Sequence, residues 1–231
     1  MRKTVFTLIV FVFILSFSSG VFAIGSTLPM DDLEKDYENA ILNTFKFPKN
    51  QENGFSLNVS LRESAGTTGC DWLAFACGRY GYPDNAEGYL KSLEDYVTAR
   101  YAALGELHKT MPTDYHRVAL AVMALGGDPT CFGKKPDGSP VNLLADGVYN
   151  HKSLENKSIN VYIWGLIAVD AQNTAIPNGA KYDRNFLIQA ILEEELNNGG
   201  FALIGEAADP DITGMALVAL APYYDSDPEV K

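Results

Sequence analysis

A five-residue pattern recurs four times along this chain, each time inside an apolar stretch of helical length. It reads small, apolar, any, small, then apolar or small. The copies are Ala74-Phe75-Ala76-Cys77-Gly78, Ala121-Val122-Met123-Ala124-Leu125, Gly165-Leu166-Ile167-Ala168-Val169 and Ala216-Leu217-Val218-Ala219-Leu220. Seven residues before each copy stands Thr67, Asp114, Ser158 or Asp209, all good helix N-caps because a side-chain oxygen can accept from an orphan backbone N–H. A period of this size predicts an array of helical repeats rather than a single packed bundle.

Between these stretches lie segments of another character. Residues 31–45 place Leu33, Tyr37, Ala40, Ile41 and Phe45 near one helical face. Residues 85–107 place Tyr89, Leu93, Tyr96, Val97 and Tyr101 at helical spacing. Residues 184–196 set Phe186, Leu187, Ile191 and Leu192 against Glu193, Glu194 and Glu195. Such segments are amphipathic and belong on an outer layer. The repeat helices (72–78, 118–125, 161–169 and 215–221) are apolar almost all round and belong inside, where short side chains at i and i+3 let neighbouring axes approach. The predicted fold is all-α: inner and outer helices alternate in about four hairpins. Gly78, Gly81 and Pro83, then Gly126, Gly127 and Pro129, then Asn197-Asn198-Gly199-Gly200 are expected to end helices. Residues 131–145 read as a loop with at most a short third outer helix near 142–145.

The first residues read as a leader. Arg2 and Lys3 precede an apolar run from Val5 to Phe17, and Val21-Phe22-Ala23 is a small-residue cleavage site, so residues 1–23 are expected to be a signal peptide. The run is shorter than the roughly 20 residues of a comfortable span, and an uncleaved N-terminal anchor is the alternative. Residues 24–231 then form one domain, expected in the secreted or cell-surface compartment, with no membrane span after cleavage. Removing Arg2 and Lys3 takes the formal charge from −11 to −13, which disfavours nucleic acid or anionic lipid as partner. Asp225-Ser226-Asp227-Pro228 resembles the cap and first turn of a fifth outer helix, so the array is expected to be incomplete at its C-terminal end. Three cysteines are too few for a disulfide framework; Cys70 and Cys77 lie about 10 Å apart along one helix and cannot pair with each other, so the readings are a bond from either to Cys131 or three buried small hydrophobes. Asn58-Val59-Ser60 and Asn156-Lys157-Ser158 match the glycosylation triplet.

Together the alternation, the period and the turns resemble the α/α-toroid superfamily of squalene-type and other terpenoid cyclases, protein prenyltransferase β subunits and cobalamin carriers such as transcobalamin. Asn198-Gly199-Gly200-Phe201-Ala202-Leu203 and Gln51-Glu52-Asn53-Gly54-Phe55-Ser56-Leu57 look like degraded copies of the cyclase inter-helix signature, a Gln followed by Gly-Gly and an aromatic. The chain is most similar to bacterial secreted proteins with prenyltransferase-like repeats. A complete toroid has about six hairpins, so the resemblance implies a partial one here.

Asp209-Pro210-Asp211-Ile212-Thr213 is similar to the Asp-x-Asp-Asp-Thr motif that supplies the protonating acid of squalene-type cyclases, with Ile212 in place of the last Asp. By that resemblance Asp209 and Asp211 are candidate catalytic carboxylates. The competing reading makes Asp209 an N-cap, Pro210 the N1 residue and Asp211 a first-turn acid favoured by the helix dipole. Prenyltransferases hold zinc with an Asp, a Cys and a His. Here no Asp-x-Cys pair exists, so no metal and no cofactor is expected, and cobalamin enters only as a ligand suggested by the fold. Trp72, Tyr115, Tyr162 and Trp164 fall in the first half of inner helices, with Asp114, His116 and Asn160 beside them. These seven are the candidate ligand-binding residues, rimming an apolar mouth with a few polar groups. Inter-helix packing is their other reading. Two functions follow: a module binding a small apolar or amphipathic ligand or a protein partner, or a terpenoid-cyclase or prenyltransferase-like enzyme using Asp209 and Asp211.

Overall fold

The computed structural model describes residues 30–46 and 56–231. The expected signal peptide and the Gln51–Phe55 portion of the first turn signature lie outside the described residues. The described residues form helices and turns with one isolated bridge, Lys134 to Pro140, and no strand.

Helix α1 (Met30–Lys46) is amphipathic, and buries Ile41 and Phe45 against Cys77 and its neighbours Leu73, Ala76 and Tyr80. Asp84 ties the next segment down: its carboxylate accepts from the backbone N–H groups of Ser56 at 2.9 Å and Leu57 at 3.0 Å. The short α2 (Val59–Glu63) is capped by Asn58, whose side chain accepts from Leu61 N. Helix α3 (Thr68–Tyr80) ends at Gly81, at φ +74°, a left-handed position that suits a residue without Cβ. Helix α4 (Ala86–Leu104) starts at Asn85, which accepts from Gly88 N at 2.9 Å, and buries Tyr89, Leu93, Val97 and Tyr101 on one stripe. Fully burying a side chain of this size contributes about 1.5–3 kcal/mol, so this stripe holds the element in place.

Helix α5 (Pro112–Ala124) differs from expectation at its start. Met111 is the cap and Pro112 occupies N1, where its fixed φ and missing N–H cost nothing. Asp114 is therefore a first-turn residue and not the N-cap. The irregular stretch that follows ends in a π-helical turn at Ala145–Tyr149, led by Asn142, whose amide oxygen accepts from Ala145 N at 2.8 Å. The third outer element thus extends four residues past its predicted end. Helix α6 (Ile159–Asp170) follows Ser158, α7 (Arg184–Leu192) follows a capping Asp183, and α8 (Pro210–Leu220) follows a capping Asp209. A 3-10 turn covers Ala221–Tyr223. Residues 224–231 form turns, with Asp227 accepting from Glu229 N at 3.0 Å, rather than a first helical turn.

The apolar helices pack in series: α3 on α5, α5 on α6, α6 on α8. The first small residue of every repeat (Ala74, Ala121, Gly165, Ala216) is buried. Gly78 shows what this stripe is for. It lies inside α3, not at its end, and a Cβ there would stand 2.3 Å from the backbone oxygen of Ala124 on α5. Only a residue lacking Cβ allows that approach. The outer elements cover this series: α1 on α3, α4 against α2, α3 and the α5 core, the π-helical turn on α5 and α6, and α7 on α6.

Candidate functional site

The interior holds a buried, heavily bonded ion pair, Asp71 with Arg117, that was not among the sequence candidates. Asp71 on α3 has no exposed surface. One carboxylate oxygen accepts from Gly66 N at 2.9 Å and from the Tyr89 hydroxyl at 2.7 Å, and the other accepts from Arg117 Nε at 2.9 Å. Arg117 on α5 also donates to Asp114 at 2.5 Å, to Gly66 O at 3.0 Å and to Thr68 Oγ1 at 3.4 Å. A charge is kept in an apolar layer only when its partners are fixed in this way. Burial and the neighbouring Asp71 charge push the Tyr89 hydroxyl far above its ordinary value, so it stays a donor. Asp71 inside the largely apolar α3 and Arg117 inside α5 were the available signal.

Of the seven ligand candidates, two meet. Trp72 on α3 and Trp164 on α6, the chain's two tryptophans, lie with ring centroids 4.9 Å apart and planes tilted by 50°. Phe75 stands edge-on to Trp72 at 5.5 Å. All three are half-buried and pack against the core cluster with Met123 and Ile167. Helices α3 and α6 flank α5 in the series, so the two indoles join the layer across one intervening helix.

The remaining candidates are occupied elsewhere. Tyr115 is buried and its hydroxyl accepts from Leu107 N at 2.9 Å. Tyr162 is buried too; its hydroxyl donates to Leu154 O at 3.0 Å and accepts from Lys157 N at 2.9 Å. Both tyrosines anchor the loops that precede their helices. Asp114 serves Arg117 and lies 3.9 Å from His108 Nε2. His116 has no exposed surface; Nε2 donates to Gly147 O at 2.9 Å, which leaves Nδ1 as a buried acceptor without a partner. Burial lowers its pKa to about 4, so the ring is neutral. Asn160 on α6 likewise carries a buried side-chain oxygen without a partner. Trp72 and Trp164 thus meet on one face, while Tyr115, His116 and Tyr162 are buried and Asp114 and Asn160 half-buried.

Asp209 and Asp211 sit at the start of α8. The Asp209 carboxylate accepts from Asp211 N at 2.8 Å and from Ile212 N at 3.3 Å, which is the geometry of a cap. Asp209 is exposed, and Asp211, which the enzyme reading makes the acid with Asp209 as its support, is half-buried. Thr213 of the same motif grips the Gly-Gly-aromatic turn: its hydroxyl accepts from Phe201 N at 2.9 Å and donates to Phe201 O at 3.2 Å. The turn signature and the acidic motif are thus two halves of one loop-to-helix joint. Beside it lies an open groove of about 490 Å³ lined by Asn198, Gly199, Gly200, Pro210, Thr213 and Leu217, among others.

Cys77 is buried, with its thiol pushed up to about 12 by that burial, Cys70 is half-buried and Cys131 is exposed. Only Cys77 is fully enclosed as a small hydrophobe, and no disulfide joins the described residues. Among the described residues no three His, Cys, Asp or Glu side chains converge as a metal site, and no helix is long and apolar enough to cross a membrane. Comparison of the chain with protein-family models, curated proteins and solved structures finds no match.

Proposed function

We propose that this chain is a secreted or cell-surface domain of the α/α-toroid type that binds a small apolar or amphipathic ligand against the Trp72–Trp164 face of its inner helices. The observation that carries the reading is the meeting of those two half-buried indoles, from α3 and α6, at 4.9 Å. Aromatic rings left partly open beside a packed core offer apolar surface without the cost of ordering a flexible side chain. Support for the toroid comes from the serial packing of α3, α5, α6 and α8 beneath outer elements. Support for export comes from the leader-like residues 1–23. Cobalamin is one ligand that the fold reading suggests, and long-chain isoprenoids are another.

Tryptophan emission tests this directly, since both fluorophores belong to the site. The parent chain is titrated with 8-anilinonaphthalene-1-sulfonate, farnesol and cyanocobalamin, and Trp72→Ala and Trp164→Ala variants are titrated in parallel. The reading expects saturable quenching or a blue shift with at least one of them, and at least about tenfold weaker binding in each variant. A flat parent titration with all three, or equal affinity in the variants, contradicts it.

A further inference from the structure

Helix α6 keeps one side open. Eight of its 12 residues are buried, and the half-buried remainder is Asn160, Trp164, Ile167 and Asp170. Asp170, at the helix end, is engaged: its carboxylate accepts from Arg184 Nε and from the Tyr223 hydroxyl, each at 2.7 Å. The other three stand at i, i+4 and i+7, one above another on a single stripe. This stripe does not owe its exposure to an end of the array. Helices α5, α7 and α8 and the π-helical turn all pack on α6, and the stripe is the side that they leave free.

The stripe is graded along its length. Asn160 gives it a polar end, Trp164 with Trp72 at 4.9 Å an aromatic middle, and Ile167 an apolar end. From Asn160 to Ile167 it runs roughly 10 Å along the axis. The polar end is incomplete. The Asn160 side-chain oxygen is enclosed and has no hydrogen-bond partner, and an enclosed acceptor without a donor is costly. Asn160 as a whole is half-buried, and the torsion that turns its amide is soft, so the amide can meet a group arriving from the open side. A hydroxyl suits that amide in either orientation, because it both donates and accepts. A carboxylate or an ether only accepts, and a hydrocarbon does neither. A charged head would also lose its water beside an uncharged amide and an indole, at greater cost than a neutral one. We infer that the tryptophan face takes an uncharged apolar alcohol, with its hydroxyl on the Asn160 amide and its hydrocarbon body along Trp164, Trp72 and Ile167. This inference rests on the ligand-binding reading above and narrows its apolar or amphipathic ligand to an alcohol.

The test follows tryptophan emission of the purified chain against farnesol, farnesyl methyl ether, farnesene and farnesoic acid, which share one hydrocarbon body. Farnesol should bind at least about tenfold more tightly than each of the other three. Asn160→Leu should weaken farnesol by a similar factor and keep farnesene binding, a result that a misfolded variant would not give. The ligand series on the parent needs no variant, so it decides even if Asn160→Leu fails to fold. Any of the other three binding as tightly as farnesol, or a farnesol preference that survives Asn160→Leu, overturns the inference and leaves binding at the tryptophan face standing. A flat parent titration with all four overturns it as well, and the titrations with 8-anilinonaphthalene-1-sulfonate and cyanocobalamin then decide the wider reading by themselves.

Discussion

Asp71 and Arg117 stand 46 positions apart and yet share one buried ion pair at 2.9 Å. Removing one partner leaves the other charged, enclosed and unpaired, which costs about 3–5 kcal/mol. Arg117→Met is expected to lower the unfolding free energy measured by urea titration by that much, whereas the Asp71→Leu/Arg117→Met double variant should be more stable than the sum of the two single changes. Additive losses would show that the pair is not coupled. His116 gives a second residue-scale prediction. Its folded pKa is lowered from 6.5 to about 4, so the unfolded chain binds the proton first as pH falls. The neutral ring's contribution is complete above pH 6.5 and is lost between pH 6.5 and 4, to a limit of roughly 3 kcal/mol. His151 is lowered by burial as well and acts in the same sense, so the test compares stability against pH in the parent and in His116→Gln, which should have the shallower slope over that window. At this scale the sequence is informative about residue type and poor about pairing. Asp71 is recognisable as a charge in an apolar helix, but nothing local points to Arg117. Asn58 matches a glycosylation triplet, yet its buried side chain is spent on capping α2, whereas Asn156 is exposed.

Elements follow the sequence more closely, because capping and periodicity are local. Of the four expected caps, Asp209 accepts backbone N–H groups and Thr67 and Ser158 hold the N-cap position without a side-chain hydrogen bond, while Asn85 and Asp183 cap two further helices. Asp209→Ala should cost about 1 kcal/mol in thermal or urea unfolding, and Asp211→Asn, which removes only a dipole contribution, under about 1 kcal/mol. Gly78→Ala sets two effects against each other. Helix propensity favours alanine by about 1 kcal/mol, but the added Cβ meets the Ala124 carbonyl at 2.3 Å, and backbone does not swing aside. The clash is the larger effect, so the variant should melt below the parent; a higher melting temperature would mean that α3 and α5 are not in close contact. The start of α5 departed from its reading because Pro112 can occupy N1 and so shifts the cap to Met111. The π-helical turn was legible only in its first residue, Ala145, since its last four, Asp146 to Tyr149, take their place from packing on α5 and α6 and not from a repeat of small residues.

At the scale of the whole molecule, short side chains in four helices let α3, α5, α6 and α8 stand in series while outer elements screen them. The all-helical content was readable from period and amphipathicity. The site was readable only in part: the seven candidates share helix ends, but their side chains sort by direction, and direction depends on crossing geometry that spacing alone does not give. Trp72 and Trp164 reach one another across α5, which α3 and α6 flank. The claim on which the rest depends is that contact, and near-UV circular dichroism reads it most directly, because the chain has two tryptophans. Two indoles at 4.9 Å should give a coupled pair of bands of opposite sign that Trp72→Phe and Trp164→Phe each abolish. Spectra of the two single variants that add up to the parent's would contradict it.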